Sequence, residues 1–182
     1  MQSVLLKQEP LWLENRIGTR SQLPDAVQSW VYEVGSLTQR LRAVYGRSVT
    51  VKLLFQEWRK PLLSERRLLG LHERQWCLSR EVLLHASGVP LILARTIIPI
   101  STIKIANRSL SHLGTRPLGE VIFSYPKLER IAMDVAQIQA TTWTDFAHDT
   151  AGLRKTIWAR RTVYAIKQRQ MLVSEFFLPE IL

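Results

Sequence analysis

The sequence predicts an α+β fold: one domain built on an antiparallel sheet of about six strands, with several helices. Two observations carry that prediction. Period-two alternation of apolar and polar residues recurs in strand-length stretches separated mostly by hairpin-sized turn signals, whereas helical spacing is concentrated early and mid-chain. The chain has 182 residues, 46% of them hydrophobic and with 8 Gly and 8 Pro, which suits one domain with a substantial core.

Residues 1–22 precede the first periodic segment and read as an N-terminal extension. Leu23-Pro24-Asp25 opens a helix whose apolar positions include Val27, Trp30, Val31 and Val34. Gly35-Ser36 interrupts it, and Ser36 caps a second helix that runs to about Tyr45 and stops at Gly46. Residues 48–58 alternate as a half-buried strand, and the charged stretch 59–73 reads as irregular. Strands over 75–85 and 89–98 are joined through Ala86-Ser87-Gly88-Val89, a strong hairpin signal, and Pro99 closes the second. A helix follows over Thr102–Leu113, ended by Gly114, and Pro117 starts a short helix reaching about Phe123. Residues 127–138 fit either period, and 139–156 read as a polar loop or insertion. The last hairpin pairs 157–167 with 171–179 around Gln168-Arg169-Gln170.

The formal charge of +10 raises three classes of partner: nucleic acid, an anionic membrane surface or a small anionic ligand. The 25 Lys and Arg residues are scattered in short clusters, without a glycine-rich basic tail or an RNA-binding aromatic motif, which disfavours nucleic acid. Cys77 is the sole cysteine, so no intrachain disulfide can form, and its mid-strand position suits a small buried thiol. No signal-peptide layout and no apolar run of membrane-spanning length is visible, so a soluble cytoplasmic protein is expected. His72, His85, His112 and His148 share no ligand spacing, and no metal site is expected.

Two charges stand out because each sits on the apolar face of a strand. Arg80 shares a face with Trp76, Leu78, Val82 and Leu84, and Glu175 lies beside Met171, Val173 and Phe177. The other face of that last strand is apolar too, so it is expected to be covered on both sides. A charge out of water must be paired, hydrogen-bonded or neutralised. Arg80 and Glu175 therefore either satisfy each other or face a polar ligand in a closed cavity. Arg95 is a further cation on an apolar face, with Leu91, Leu93 and Ile97, while Arg160 and Arg161 read as surface or cross-strand charges.

The runs Arg74-Gln75-Trp76-Cys77-Leu78-Ser79-Arg80-Glu81-Val82-Leu83-Leu84, Ser87-Gly88-Val89-Pro90 and Ala94-Arg95-Thr96-Ile97-Ile98-Pro99-Ile100-Ser101-Thr102 resemble bacterial chorismate pyruvate-lyase. So, in order, do Leu113-Gly114-Thr115-Arg116-Pro117-Leu118-Gly119, Trp158-Ala159-Arg160-Arg161 and Ser174-Glu175-Phe176-Phe177-Leu178-Pro179. The resemblance implies removal of pyruvate from chorismate to give 4-hydroxybenzoate, the first committed step toward ubiquinone in many Gram-negative bacteria. It implies a monomer with no metal and no organic cofactor, whose helices cover one face of the sheet and form a flap over a buried ligand cavity. By the same resemblance Arg80 holds the ring carboxylate, Glu175 the hydroxyl at the opposite end, and Leu118 gives a main-chain amide to the carboxylate. Leu37 belongs to the flap, at a position where members of the family carry methionine. Arg95 is assigned to the enolpyruvyl carboxylate or oxygen. The chain is longer than the family between Ile138 and Ile157, so loop positions there do not transfer. The competing reading is a non-catalytic effector-sensing domain that binds a small aromatic acid, since ligand-sensing domains of some bacterial transcription regulators resemble this fold.

Overall fold

The computed structural model describes residues 2–106 and 110–182. In chain order the elements are β1 (Leu13–Glu14), α1 (Asp25–Val31), α2 (Leu37–Tyr45), β2 (Val49–Arg59), α3 (Leu63–Leu68), β3 (Cys77–Ala86) and β4 (Val89–Pro99). Then come α4 (Ile100–Ile105), α5 (Leu118–Ile122), β5 (Glu129–Ile138), α6 (Asp145–Ala151), β6 (Ile157–Ile166) and β7 (Arg169–Phe177). The strands form one antiparallel sheet of seven in the order β1-β5-β6-β7-β4-β3-β2. The α+β reading holds, and the seventh strand is the two-residue β1 from the N-terminal extension. Among the described residues no helix is long and apolar enough to cross a membrane.

Local chemistry explains most boundaries. Ser36 caps α2, its hydroxyl accepting from Gln39 N at 3.4 Å, and Gly46 stops the helix with φ 73°. The β3–β4 turn has positive φ at both Ser87 (49°) and Gly88 (84°), the conformation that matches the twist of a two-residue hairpin. The β6–β7 turn does the same at Lys167 (47°) and Gln168 (66°), without glycine. It therefore sits earlier than the Gln168–Gln170 expected from sequence, because neither residue type advertises that backbone. Within 127–138 the strand β5 has its period broken by a bulge between Arg130 and Ala132, leaving Ile131 exposed. The helix expected over Thr102–Leu113 is shorter and starts earlier: α4 spans Ile100–Ile105, beginning right after Pro99, residues 107–109 lie outside the described residues, and 110–113 are turn and coil.

Two segments expected to be irregular contain helices. In 59–73, α3 is capped at its start from two sides: Glu65 accepts from Leu62 N, and Glu9 accepts from Leu63 N and Ser64 N, all at 2.8 Å. In 139–156, Thr144 caps α6 and Gly152 ends it in the left-handed conformation. Only Ala147 of α6 is buried, so the helix leaves almost no periodic trace in the sequence.

Both faces of the sheet are covered. Helices α1 and α2 pack Val27, Trp30, Val31, Leu37 and Leu41 against Val82, Leu84, Ile92 and Phe177. On the same face α5 brings Leu118, Val121 and Ile122 against Leu78, Ile98 and Val173. The opposite face is covered by the N-terminal extension (Leu5, Leu6) and by Trp143 and Ala147 around Phe176, Leu83 and Leu93. Leu69, after α3, closes over Cys77, Ile97 and Leu172 there. Cys77 is fully buried, and burial, then the nearby Glu65 charge, pushes its thiol up to about 12, so it is an unreactive packing residue.

Candidate functional site

Between the sheet and helices α2 and α5 lies a cavity. Its floor is the β3–β4–β7–β6 surface, including Arg80, Val82, Ala94, Thr96, Val173, Glu175, Arg160 and Tyr164. Its roof is Gly35, Leu37 and Thr38 from the start of α2, with Pro117, Leu118, Gly119, Ile122 and Phe123 around α5. The roof elements interlock. Gly119 stands where a Cβ would come within 2.6 Å of Ser36 Oγ, so only glycine lets α5 approach the α2 cap this closely. An ion pair between Arg42 and Glu120 joins the two helices on the outer side.

Arg80 and Glu175 both face this space, but they do not pair. In register, Arg80 lies opposite Thr96 and then Val173, while Glu175 lies opposite Ala94 and then Val82. Two strand spacings and a two-residue offset separate them by about 12 Å between Cα atoms. Small Ala94 lies on the floor between them.

Arg80 is 1% exposed, and its Nη2 donates to the carbonyls of Gly114 and Arg116 at 3.0 Å each. Among the described residues it has no carboxylate partner, and its buried Nε has no hydrogen-bond partner. Burial pushes its guanidinium down to about 10. The site thus holds a desolvated cation without a counter-ion.

Glu175 is already half satisfied. Arg160, directly across from it on β6, donates Nε to Glu175 Oε2 at 2.6 Å. Glu175 Oε1 receives no hydrogen bond from a described residue. Burial alone would weaken the Arg160 charge, but the adjoining Glu175 carboxylate and the hydrogen bond between them outweigh it and raise its pKa. Tyr164 completes this end. Burial, and then the Glu175 charge, raises its pKa, so the neutral phenol is favoured, and its oxygen accepts from Arg130 Nη2 at 3.2 Å.

The sequence-predicted residues therefore divide. Arg80, Glu175, Leu37 and Leu118 meet in the cavity, Leu118 as the first residue of α5, where helix geometry gives its amide no partner. Arg95 does not. It lies on the opposite face, fully buried, with Nε and Nη2 on the two oxygens of Glu65 (2.7 and 3.0 Å) and Nη1 on Glu81 Oε1 (2.6 Å). The reason is one extra residue. A regular hairpin around Ser87-Gly88 would put Arg95 opposite Arg80, on the same face. A bulge beyond His85 and Pro90 shifts the register by one, so Arg95 pairs with Glu81 and its side chain turns to the other side.

Arg160, Tyr164, Thr96 and Thr38 are the cavity residues that sequence reasoning missed. Arg160 and Arg161 are cross-strand charges, opposite Glu175 and Asp134, but buried instead of on the surface. A turn placed at Lys167-Gln168 would have put Arg160 opposite Glu175; centred on Arg169, it puts Val163 there. Among the described residues, no group of three or more His, Cys, Asp or Glu side chains is arranged to hold a metal ion.

Comparison with known proteins adds the following. The family model described as chorismate lyase matches residues 6–182. A probable chorismate pyruvate-lyase of Methylococcus capsulatus is 39% identical over 156 residues, covering 86% of this chain and 96% of its own. A chorismate pyruvate-lyase of Photorhabdus laumondii is 35% identical over 161 residues, covering 87% and 84%. Among solved structures, PhnF from Mycobacterium smegmatis superposes with a TM-score of 0.60 at 16% identity over 83% of this chain and 67% of its own. The effector domain of the same protein gives 0.58 at 18% identity, over 81% and 91%. At such identities these two show a shared fold and nothing more.

Proposed function

The chain belongs to the chorismate lyase family, and from that premise we propose that it is a chorismate pyruvate-lyase, splitting chorismate into 4-hydroxybenzoate and pyruvate. The observation that carries this reading is Arg80: a buried guanidinium with no carboxylate, aimed into a largely apolar cavity. Such a group costs free energy until an anion arrives, so the cavity is built for one. With Nη2 held by the two carbonyls, the Nε and Nη1 of Arg80 are left to donate to the ring carboxylate, with the Leu118 amide as a further donor. At the other end Glu175 Oε1 accepts the ring hydroxyl. The separation of the two anchors, about 12 Å between Cα atoms, leaves room for one six-membered ring between the side-chain tips.

The chemistry follows from this alignment. The C–O bond to the enolpyruvyl arm breaks, the proton on the neighbouring hydroxyl-bearing carbon leaves, and that proton ends on the enolpyruvyl methylene, giving pyruvate. The ring becomes aromatic, which drives the reaction. The protein has to hold the ring at both ends in the reactive conformer, exclude water and stabilise charge on the departing oxygen. We read the product as a ubiquinone precursor and the enzyme as a cytoplasmic monomer that needs no metal or organic cofactor.

The test is pyruvate release from chorismate in metal-free buffer containing chelator, for wild type, Arg80→Ala and Glu175→Gln. Pyruvate and 4-hydroxybenzoate should appear one to one with wild type. In both folded variants kcat/KM should drop by about 100-fold or more, the loss expected when a desolvated charged contact is removed. Saturable binding of chorismate without pyruvate release would reject the lyase reading.

A further inference from the structure

The connector between α1 and α2 is tied to the cavity floor by one side chain that also touches Glu175. Arg160 is 1% exposed; besides the Glu175 contact, its Nη1 donates to Val31 O at 2.9 Å and Glu33 O at 2.7 Å. Val31 is the last residue of α1, where helix carbonyls lack partners and carry the negative end of the dipole. A second cation, Arg130, donates to Glu33 O and Val34 O at 3.2 Å each, and does not line the cavity. The next residues of the connector and of α2, Gly35, Leu37 and Thr38, are cavity roof.

We propose that Arg160 is a positioning residue that latches the α1–α2 flap to Glu175, so that one guanidinium both orients the carboxylate receiving the ring hydroxyl and sets how fast product leaves. This rests on the lyase reading. Lifting the roof over the product must break the two carbonyl contacts of Arg160 and those of Arg130. The guanidinium is suited to the task because its fixed fork spans a carboxylate and two carbonyls at once. An ammonium at this position could keep the Glu175 contact but could not reach all three acceptors.

The experiment compares two rates in wild type, Arg160→Lys and Arg130→Met: dissociation of 4-hydroxybenzoate by stopped-flow displacement, and product formation in a single turnover of chorismate. Release should accelerate about tenfold in each variant, the change expected from losing one charge-assisted hydrogen bond. Single-turnover product formation should stay within about twofold of wild type in Arg130→Met, which removes a hydrogen bond to Tyr164 but keeps the Arg160–Glu175 contact, and fall in Arg160→Lys. Unchanged release in either folded variant overturns the latch. So does a parallel loss of both rates in Arg130→Met, since that is general loosening. If Arg160→Lys does not fold, Arg160→Gln takes its place, with the same two rates and the same outcomes. Wild type that holds 4-hydroxybenzoate but never releases pyruvate from chorismate sinks the lyase reading while leaving the release comparison intact.

Discussion

Among the described residues three arginines are almost completely excluded from solvent, and they differ in what neutralises them. Arg95 has two carboxylates, Arg160 has one, and Arg80 has none. The cost of the unpaired charge shows in the depressed pKa of Arg80, pushed by burial to about 10, which supports the proposed role as an anion anchor. The sign of the consequence is fixed: only the protonated guanidinium holds an anion, so affinity is full below that value and is lost as pH rises through it. Benzoate, which lacks a titrating hydroxyl, should bind with constant affinity to ligand-free protein in neutral and mildly basic buffer and weaken as pH passes about 10. Calorimetric titration across that range checks it; a flat profile would mean that Arg80 does not hold the anion. Arg80 and Glu175 were legible in the sequence because a charge at the wrong parity of a strand is conspicuous. The residues that partner them were not, since partnership depends on register, and register turns on single residues. The bulge in the β3–β4 hairpin sends Arg95 to the far face, and the Lys167-Gln168 turn brings Arg160 opposite Glu175.

At the scale of elements, the roof depends on how closely α5 approaches the capped start of α2. Gly119 permits a contact with Ser36 that any side chain would obstruct, and Ser36 is at the same time the helix cap. Gly119→Ala should therefore push the two roof elements apart, and affinity for 4-hydroxybenzoate should fall by about tenfold, or roughly 1.4 kcal/mol. The clash is with Oγ at 2.6 Å, whereas Ser36 Cβ lies at 3.5 Å from the added carbon, an ordinary contact. Ser36→Ala on its own costs about 1 kcal/mol of cap. Combined with Gly119→Ala it removes the obstructing atom, so the double variant should bind product better than Gly119→Ala alone. A double-mutant cycle on product affinity reads this coupling directly, and simple additivity would show that the close approach is irrelevant to the roof. Helices α1, from its apolar spacing, and α2, from its Ser36 cap and Gly46 stop, were predictable. Of the short helices, α5 was announced by Pro117, whereas α3 and α6 were not: α3 depends on a remote cap at Glu9, and α6, though capped by Thr144 and ended by Gly152, buries only Ala147 and so lacks an apolar period.

At the scale of the whole molecule, the sheet separates a face that carries the cavity from a face that holds the structure together. Behind the cavity, Arg95 joins β3, β4, α3 and the N-terminal extension through one buried network. Glu81 accepts from Ser3 Oγ, Val4 N and Leu5 N as well as from Arg95, and Arg95 also reaches Gln2 O. The extension is therefore part of the core, with Leu5 fully buried beside it. Arg95→Met would leave Glu65 and Glu81 as uncompensated buried charges, a change that costs about 3–5 kcal/mol. Substituting all three with apolar residues, a remedy that often works for buried ion pairs, should recover only part of the loss here. The donors at Ser3, Val4 and Leu5 would then be buried without an acceptor, at about 1–3 kcal/mol each. Because the network lies across the sheet from Arg80 and Glu175, the folded fraction of Arg95→Met should bind 4-hydroxybenzoate with wild-type affinity, while urea unfolding shows the stability loss. A stable Arg95→Met protein that cannot bind product would instead return Arg95 to the ligand site and require the two faces to communicate through the sheet.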